Sequence, residues 1–172
     1  MNLAEIRDFV KESNAIEGIH AESGDPLYDQ HIEAFGIMLC DALNNDMPSP
    51  RKLHSLLLYN ILEEAGGYRK IWVTVGNYKP PAPGLVSAVM QDWHDQLKQD
   101  FLNQKTLSEE RCWHYHHWFE NIHPFEDGNG RAGRLILAQL FLMSGYDLPI
   151  VLAKYRWGYY DAIENWGKKN TV

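Results

Sequence analysis

The stretch from His123 to Arg134, His-Pro-Phe-Glu-Asp-Gly-Asn-Gly-Arg-Ala-Gly-Arg, gathers the residue types that handle a phosphate. Gly128, Asn129 and Gly130 sit where a helix must begin, and the first amides of a helix have no carbonyl partners. Glycines let that backbone come close to a ligand and aim its N–H groups at one point, a nest that binds phosphate. Arg131 and Arg134 lie three apart and share a helix face beside the nest. Guanidinium groups there hold phosphate oxygens two at a time. Asp127 supplies a carboxylate, and magnesium takes one or two of those together with phosphates and water. His123 titrates near neutral pH beside the anion site, where a general base would activate an incoming hydroxyl. Together these parts predict phosphoryl or nucleotidyl transfer. Gly-Asn-Gly by itself is a common turn, and two arginines on a helix are commonly a solvated face. The combination at fixed spacing carries the reading.

The elements that must position this stretch are mainly helical. Apolar spacing predicts helices over about 3–16, 29–43, 50–65, 85–101, 107–122, 131–144 and 153–166. Pro124 disfavours helical geometry at His123, so the helix before the loop ends there. The helix after it is apolar nearly all round past Arg134, which marks the centre of a fold. One β signal stands out, Ile71-Trp72-Val73-Thr74-Val75, closed by Gly76-Asn77 and by Pro80, Pro81 and Pro83. One or two short strands make no independent sheet, so the segment reads as a hairpin lying on a helical body. The expected architecture is an all-α bundle with a small β-hairpin.

Bulk properties set the outer limits. The chain has 172 residues, enough for one domain to bury roughly 70% of its unfolded surface without disulfides or a structural metal. A net charge of −7 argues against a broad nucleic-acid footprint, which needs basic surface. Cys40 and Cys112 both lie in apolar helical surroundings and read as small core residues in a reducing compartment. No basic start followed by an apolar run opens the sequence, and no apolar run spans a bilayer. A cytoplasmic location without membrane contact is expected, with export as an effector left open. His114, His116 and His117 lack the Cys or carboxylate cluster of a zinc site and read as helix residues among Trp113, Tyr115 and Trp118.

The motif resembles the signature of the Fic family: His-Pro-Phe, two positions with Asp or Glu at the second, Gly-Asn-Gly-Arg, and a second Arg three later. Every fixed position is present, and the resemblance runs over roughly residues 13–167 within a single domain, 1–172. It implies transfer of AMP from ATP to a Ser, Thr or Tyr hydroxyl of a target protein. His123 would take the hydroxyl proton and Asp127 would bind magnesium. Gly128, Asn129, Gly130, Arg131 and Arg134 would hold the phosphates, the Asn129 side chain included. Phe125 would anchor the loop in the core. The segment 68–83 resembles the family's flap, in which Val73, Thr74 and Val75 pin a target chain by backbone pairing. Tyr160 and Ile163 resemble the lining of the adenine pocket, while Gly167 stands where many relatives carry an Asn.

Ser13-Asn14-Ala15-Ile16-Glu17-Gly18, within an N-terminal helix over 1–20, resembles the family's inhibitory motif. An acidic residue in a helix's last turn opposes the macrodipole, so local stability does not explain Glu17. A salt bridge to Arg134, with Ser13 and Gly18 completing the motif, would explain it by drawing the arginine off the γ-phosphate. The implied partners are ATP with Mg2+ and a protein bearing an acceptor hydroxyl; self-association stays open. Transfer of another phosphate-containing group, removal of AMP from a modified protein, and a non-catalytic nucleotide-binding module remain the alternatives.

Overall fold

Capping chemistry sets where the helices begin. A computed structural model of the chain describes residues 1–170. Helix α1, Leu3–Ile16, starts at Asn2, whose side chain accepts from the Ala4 and Glu5 amides while Glu5 reaches back in a capping box. Helix α2, Pro26–Leu43, is capped by Asp25 and carries Pro26 at its first position, where a missing N–H costs nothing. It therefore starts three residues before the expected Asp29. Helix α3 is Pro50–Leu57, α4 is Val86–Gln104 after a 3-10 turn at Pro83–Leu85, and α5 is Glu109–Ile122. Helix α6 is Asn129–Met143, and α7 is Arg156–Asn170 after a second 3-10 turn at Ala153–Tyr155.

Helix α6 is the axle. Every residue from Arg131 to Phe141 is buried, enclosed by α2, α3 and α5, with α1 touching its start. Helices α4 and α7 pack on the outer sides of α5. The core is continuous, from Phe9 and Val10 on α1 through Phe35 and Met38 on α2 to Trp93, Tyr115, Phe119 and Leu137. The all-α class stands, and no named strand forms among the described residues.

The expected hairpin reduces to one bridge. Val75 and Tyr78 exchange backbone bonds of 3.1 and 2.9 Å around Gly76-Asn77, and Gly76 supplies the positive φ of +55° that so tight a turn requires. Among the described residues, Ile71 to Thr74 form no backbone ladder, because Pro80, Pro81 and Pro83 on the return leg offer no N–H. Helix α3 stops at Leu57 rather than 65. Leu58 leaves helical geometry, and Asn60 takes a φ of +56°, so residues 58–66 fold as turns that end at Gly66. Cys112 is buried, but Cys40 faces outward, and both thiols are free.

A probe of this ordering compares two substitutions. Leu137, fully buried on α6, should cost about 2–5 kcal/mol as Leu137→Ala. Cys40→Ser, at an exposed site, should stay within about 0.5 kcal/mol. Urea denaturation of the two variants beside the parent measures both.

Candidate active site

The loop between α5 and α6 is held from three directions. His123 ends α5 in the left-handed region, φ 48° and ψ 62°, which turns the chain sharply away from the helix. Asn129, 2% exposed, accepts from the Phe125 amide and donates to the Phe125 carbonyl, both at 2.9 Å. The carboxamide expected to grip phosphate thus also holds the loop, with its backbone N–H at the uncapped start of α6. Phe125 is fully buried and stacks on His54 with ring centroids 3.8 Å apart. His54 accepts from the Gly66 amide at Nδ1, 2.8 Å, so its Nε2–H donates to the Asp127 carbonyl at 2.9 Å. Burial holds the His54 pKa down, which keeps the neutral tautomer that this pair of bonds needs. Gly128 caps α6 at φ 72° with no side chain accepting from the first amides; a Cβ there would stand 2.8 Å from Leu58 Cδ1.

Arg134 is 2% exposed and ringed by oxygen atoms. It donates to Ser13 Oγ and the Ser13 carbonyl, both at 2.9 Å, and to Glu17 Oε1 at 2.7 Å. On its other side, His116 donates Nδ1–H to the Gly133 carbonyl at 3.0 Å and accepts the Tyr159 hydroxyl at 2.9 Å. That fixes the Tyr159 oxygen as acceptor for Arg134 Nη1 at 3.5 Å. Glu17 caps the C-terminus of α1, with Gly18 following at φ 74°. Its carboxylate lies against Gly130, where any Cβ would collide with it. Ser13, Glu17, Gly130 and Arg134, 117 residues apart from Glu17 to Arg134, thus meet at one point.

These groups open on a cleft of about 450 Å³. Among the sequence candidates Glu17, Val75, His123, Gly130, Arg134, Tyr160 and Ile163 line it. Asp127, Gly128, Asn129 and Arg131 belong to the loop and the first turn of α6 beside it. Val73 and Thr74 lie along the flap, and Gly18 follows the Glu17 cap. The Tyr160 hydroxyl donates to the Ile16 carbonyl at 3.1 Å, tying α7 to the end of α1. Arg131 is 2% exposed, yet its Nε and Nη1 have no partner among the described residues, and its Nη2 is 3.8 Å from Asp127 Oδ2. Buried, unpaired guanidinium N–H groups are costly, and an anion is the ligand that would satisfy them.

Asp127 projects outward, its side chain 74% exposed. Oδ1 accepts the Gly128 amide at 2.7 Å, and Oδ2 has open directions beyond Arg131. One exposed carboxylate beside phosphate donors suits magnesium, which keeps waters and shares nucleotide oxygens. No group of three or more His, Cys, Asp or Glu placed to hold a metal ion occurs among the described residues. His114 and His117 pack against Trp166 and Trp113 respectively.

Burial lowers the His123 pKa to about 4, against the opposing pull of the Glu120 carbonyl. The imidazole is therefore neutral near pH 7, the state a general base requires. Two residues of the cleft had no sequence signal of their own. Glu120, on α5 one turn before His123, is 6% exposed, and its Oε1 is buried without a partner against Gly133. Burial pushes its pKa up to about 8, more than Arg134 pulls it down. Asn121 donates to the His117 and Ile163 carbonyls at 2.8 and 2.9 Å. Its Oδ1 fills the space that a side chain at Gly167 would need, which accounts for glycine there.

Residues 50–142, more than half of the chain, match the Fic/DOC family. The chain belongs to the Fic/DOC family. A protein named "Protein adenylyltransferase Fic" from Aedes aegypti is 30% identical over 95% of this chain and 34% of its own length. The namesake from Culex quinquefasciatus is 29% identical over 95% and 33%. The chain thus spans about a third of the length of these relatives. Two solved structures share the Fic fold. A Fic domain containing signaling protein from Bacteroides thetaiotaomicron superposes with a TM-score of 0.81 at 20% identity, covering 94% of this chain and 71% of that one. Fic-1 from C. elegans, residues 134–508, gives 0.72 at 24% identity over 97% and 57%. No helix among the described residues is long and apolar enough to cross a membrane.

The buried Glu120 makes a pH prediction for this Fic fold. Its folded pKa of about 8 lies above the ordinary 4.5, so the folded state binds the proton more tightly than the unfolded state. That contribution is fully present below about pH 4.5 and is lost as pH rises through about 8. Glu120→Gln should flatten the decline, so that melting temperatures at pH 5 and pH 8 differ less than in the parent. Thermal melts at the two pH values measure it, and an unchanged gap contradicts the assignment.

Proposed function

We propose that the chain is an autoinhibited protein adenylyltransferase, which moves AMP from ATP to a Ser, Thr or Tyr hydroxyl of another protein. The observation that carries the reading is one cleft edged by a neutral His123 and by Arg134 in the grip of Glu17. The names of the sequence relatives support the transferred group. The nucleotide base fits between Ile163 and Tyr160 on α7, with the phosphates toward the open amides of α6 and toward Arg131 and Arg134. Asp127 would hold magnesium, which neutralises phosphate charge when bound.

The chain's own residues supply the rest. His123 accepts the proton of the target hydroxyl as that oxygen attacks the α-phosphorus. The bond from the α-phosphorus to the bridging oxygen breaks, and pyrophosphate leaves. Attack must run in line, so the position of the γ-phosphate matters. While Glu17 holds Arg134 at 2.7 Å, the arginine cannot also bind the γ-phosphate with the same N–H groups. ATP enters in a poor geometry, and a misplacement of about 1 Å can cost a hundredfold in rate. The flap beside the cleft, Val73 to Val75, would hold the target chain by backbone pairing. The N–H and C=O groups of Val73 and Thr74, unpaired among the described residues, suit that task, while Val75 is tied back to Tyr78.

Separate incubations with ATP labelled at the α- or the γ-phosphate test the reading. Glu17→Gly should raise incorporation of the α label well above the parent, with no γ label transferred. Transfer of γ label alone would mean phosphorylation and would overturn the proposal. His123→Ala in that background should lower transfer by about 10²–10⁴-fold and leave ATP binding by calorimetry within a few fold. Asp127→Ala should leave a trace rate insensitive to magnesium. Arg134→Ala, alone or with Glu17→Gly, should be equally poor, because the arginine is a phosphate ligand as well as the lock. Equal rates for the parent and Glu17→Gly would remove autoinhibition and leave the transferase reading standing.

A further inference from the structure

Arg69 is 2% exposed and has no carboxylate partner among the described residues. Its guanidinium instead reaches backbone carbonyls on two elements. Nη1 donates to the Ile71 carbonyl at 3.0 Å and Nη2 to the Pro81 carbonyl at 2.6 Å. Nε donates to the His123 carbonyl at 2.8 Å, and Nη2 makes a longer contact of 3.4 Å to Ile122. The Arg69 backbone N–H adds a bond to the Pro124 carbonyl at 2.9 Å. One residue therefore binds both legs of the flap and the chain on either side of His123.

Among the described residues the flap has no other hydrogen-bonded clasp at its base. Its legs pair only at the tip, through Val75 and Tyr78, and the prolines of the return leg cannot complete a ladder. Arg69 takes the place of the missing cross-strand bonds by gripping one carbonyl on each leg. On its other edge it meets the end of α5, where the last carbonyls of a helix lack partners and a cation is favoured. His123 there is a non-glycine residue at φ 48°, a conformation that persists only when its surroundings hold it.

We infer that Arg69 is a positioning residue that sets the flap and His123 in register, so that a target chain held on the flap meets the imidazole at the proper distance. The inference rests on the adenylyltransferase reading for its consequence in rate, and on geometry alone for the coupling itself. A planar fork can span these separated carbonyls. A lysine ammonium brings the same charge to the helix end but concentrates its donors at one point. Arg69→Lys therefore removes the geometry while keeping the charge.

The test has two arms. In the first, hydrogen–deuterium exchange compares the parent with Arg69→Lys, and with Arg69→Met to remove the charge. Exchange should quicken together over residues 71–82 and 122–125 by at least about tenfold, with α2 and the centre of α6 unchanged. In the second arm, both substitutions are made in Glu17→Gly protein and AMP transfer is followed at varied ATP. The kcat should fall about tenfold to a hundredfold, on the scale of a misplacement of about 1 Å, while KM for ATP stays within about twofold. Flap exchange that quickens while 122–125 stays as in the parent overturns the coupling. So does quickening throughout the molecule, which marks general destabilisation, and so does an unaltered kcat. If Glu17→Gly itself transfers no AMP, the function reading fails on that control, and the exchange arm still decides the coupling.

Discussion

The structure is organised around one buried positive charge. Arg134 sits on the central helix at 2% exposure, where leaving a guanidinium unpaired is costly. Ser13, Glu17 and Tyr159 close around it from α1 and α7, elements far apart in sequence. The salt bridge is only half sunk, because the Glu17 side chain is 32% exposed. Breaking a buried pair by removing one partner costs about 3–5 kcal/mol; here the exposed side of Glu17 discounts that figure. A phosphate can replace the carboxylate as counter-ion without leaving the arginine bare.

Two further polar systems serve the same centre. His116 carries a proton toward the Gly133 carbonyl and thereby turns the Tyr159 oxygen toward Arg134. This chain requires a neutral imidazole, and burial holds the His116 pKa well below its usual value. His54 and Asn129 shape the loop from below, each using both of its hydrogen-bonding positions on backbone groups. These bonds fix the loop and leave the first amides of α6 without a side-chain cap.

Much of this was legible in the sequence because it is local. The loop's glycines, the helix on each side and the paired arginines declare themselves through spacing of a few residues. Glu17 stood out because its place in a last helical turn is unfavourable on local grounds. What was not legible depends on packing between distant elements. Asn129 sits inside the motif, yet its bonds to Phe125 appear only when the loop is folded. Glu120 and Asn121 look like ordinary helix residues until α6 and α7 bury them against Gly133 and Gly167. The strand expected from Ile71 to Val75 had the right side chains but lacked a partner, because the prolines of the return leg offer no N–H. Cys40 has apolar neighbours in sequence, but its position on α2 turns it outward.

The central claim is that Glu17 and the γ-phosphate compete for Arg134. Phosphorus NMR of a non-hydrolysable ATP analogue with magnesium reads that competition at the phosphorus concerned. The parent and Glu17→Gly should be saturated with the same analogue and their spectra compared. The account predicts a γ-phosphorus resonance near its free position in the parent and clearly displaced in Glu17→Gly, with a displacement that Arg134→Ala abolishes. A γ resonance in the same displaced position for parent and Glu17→Gly would contradict it, since the arginine would then reach the phosphate with the carboxylate in place.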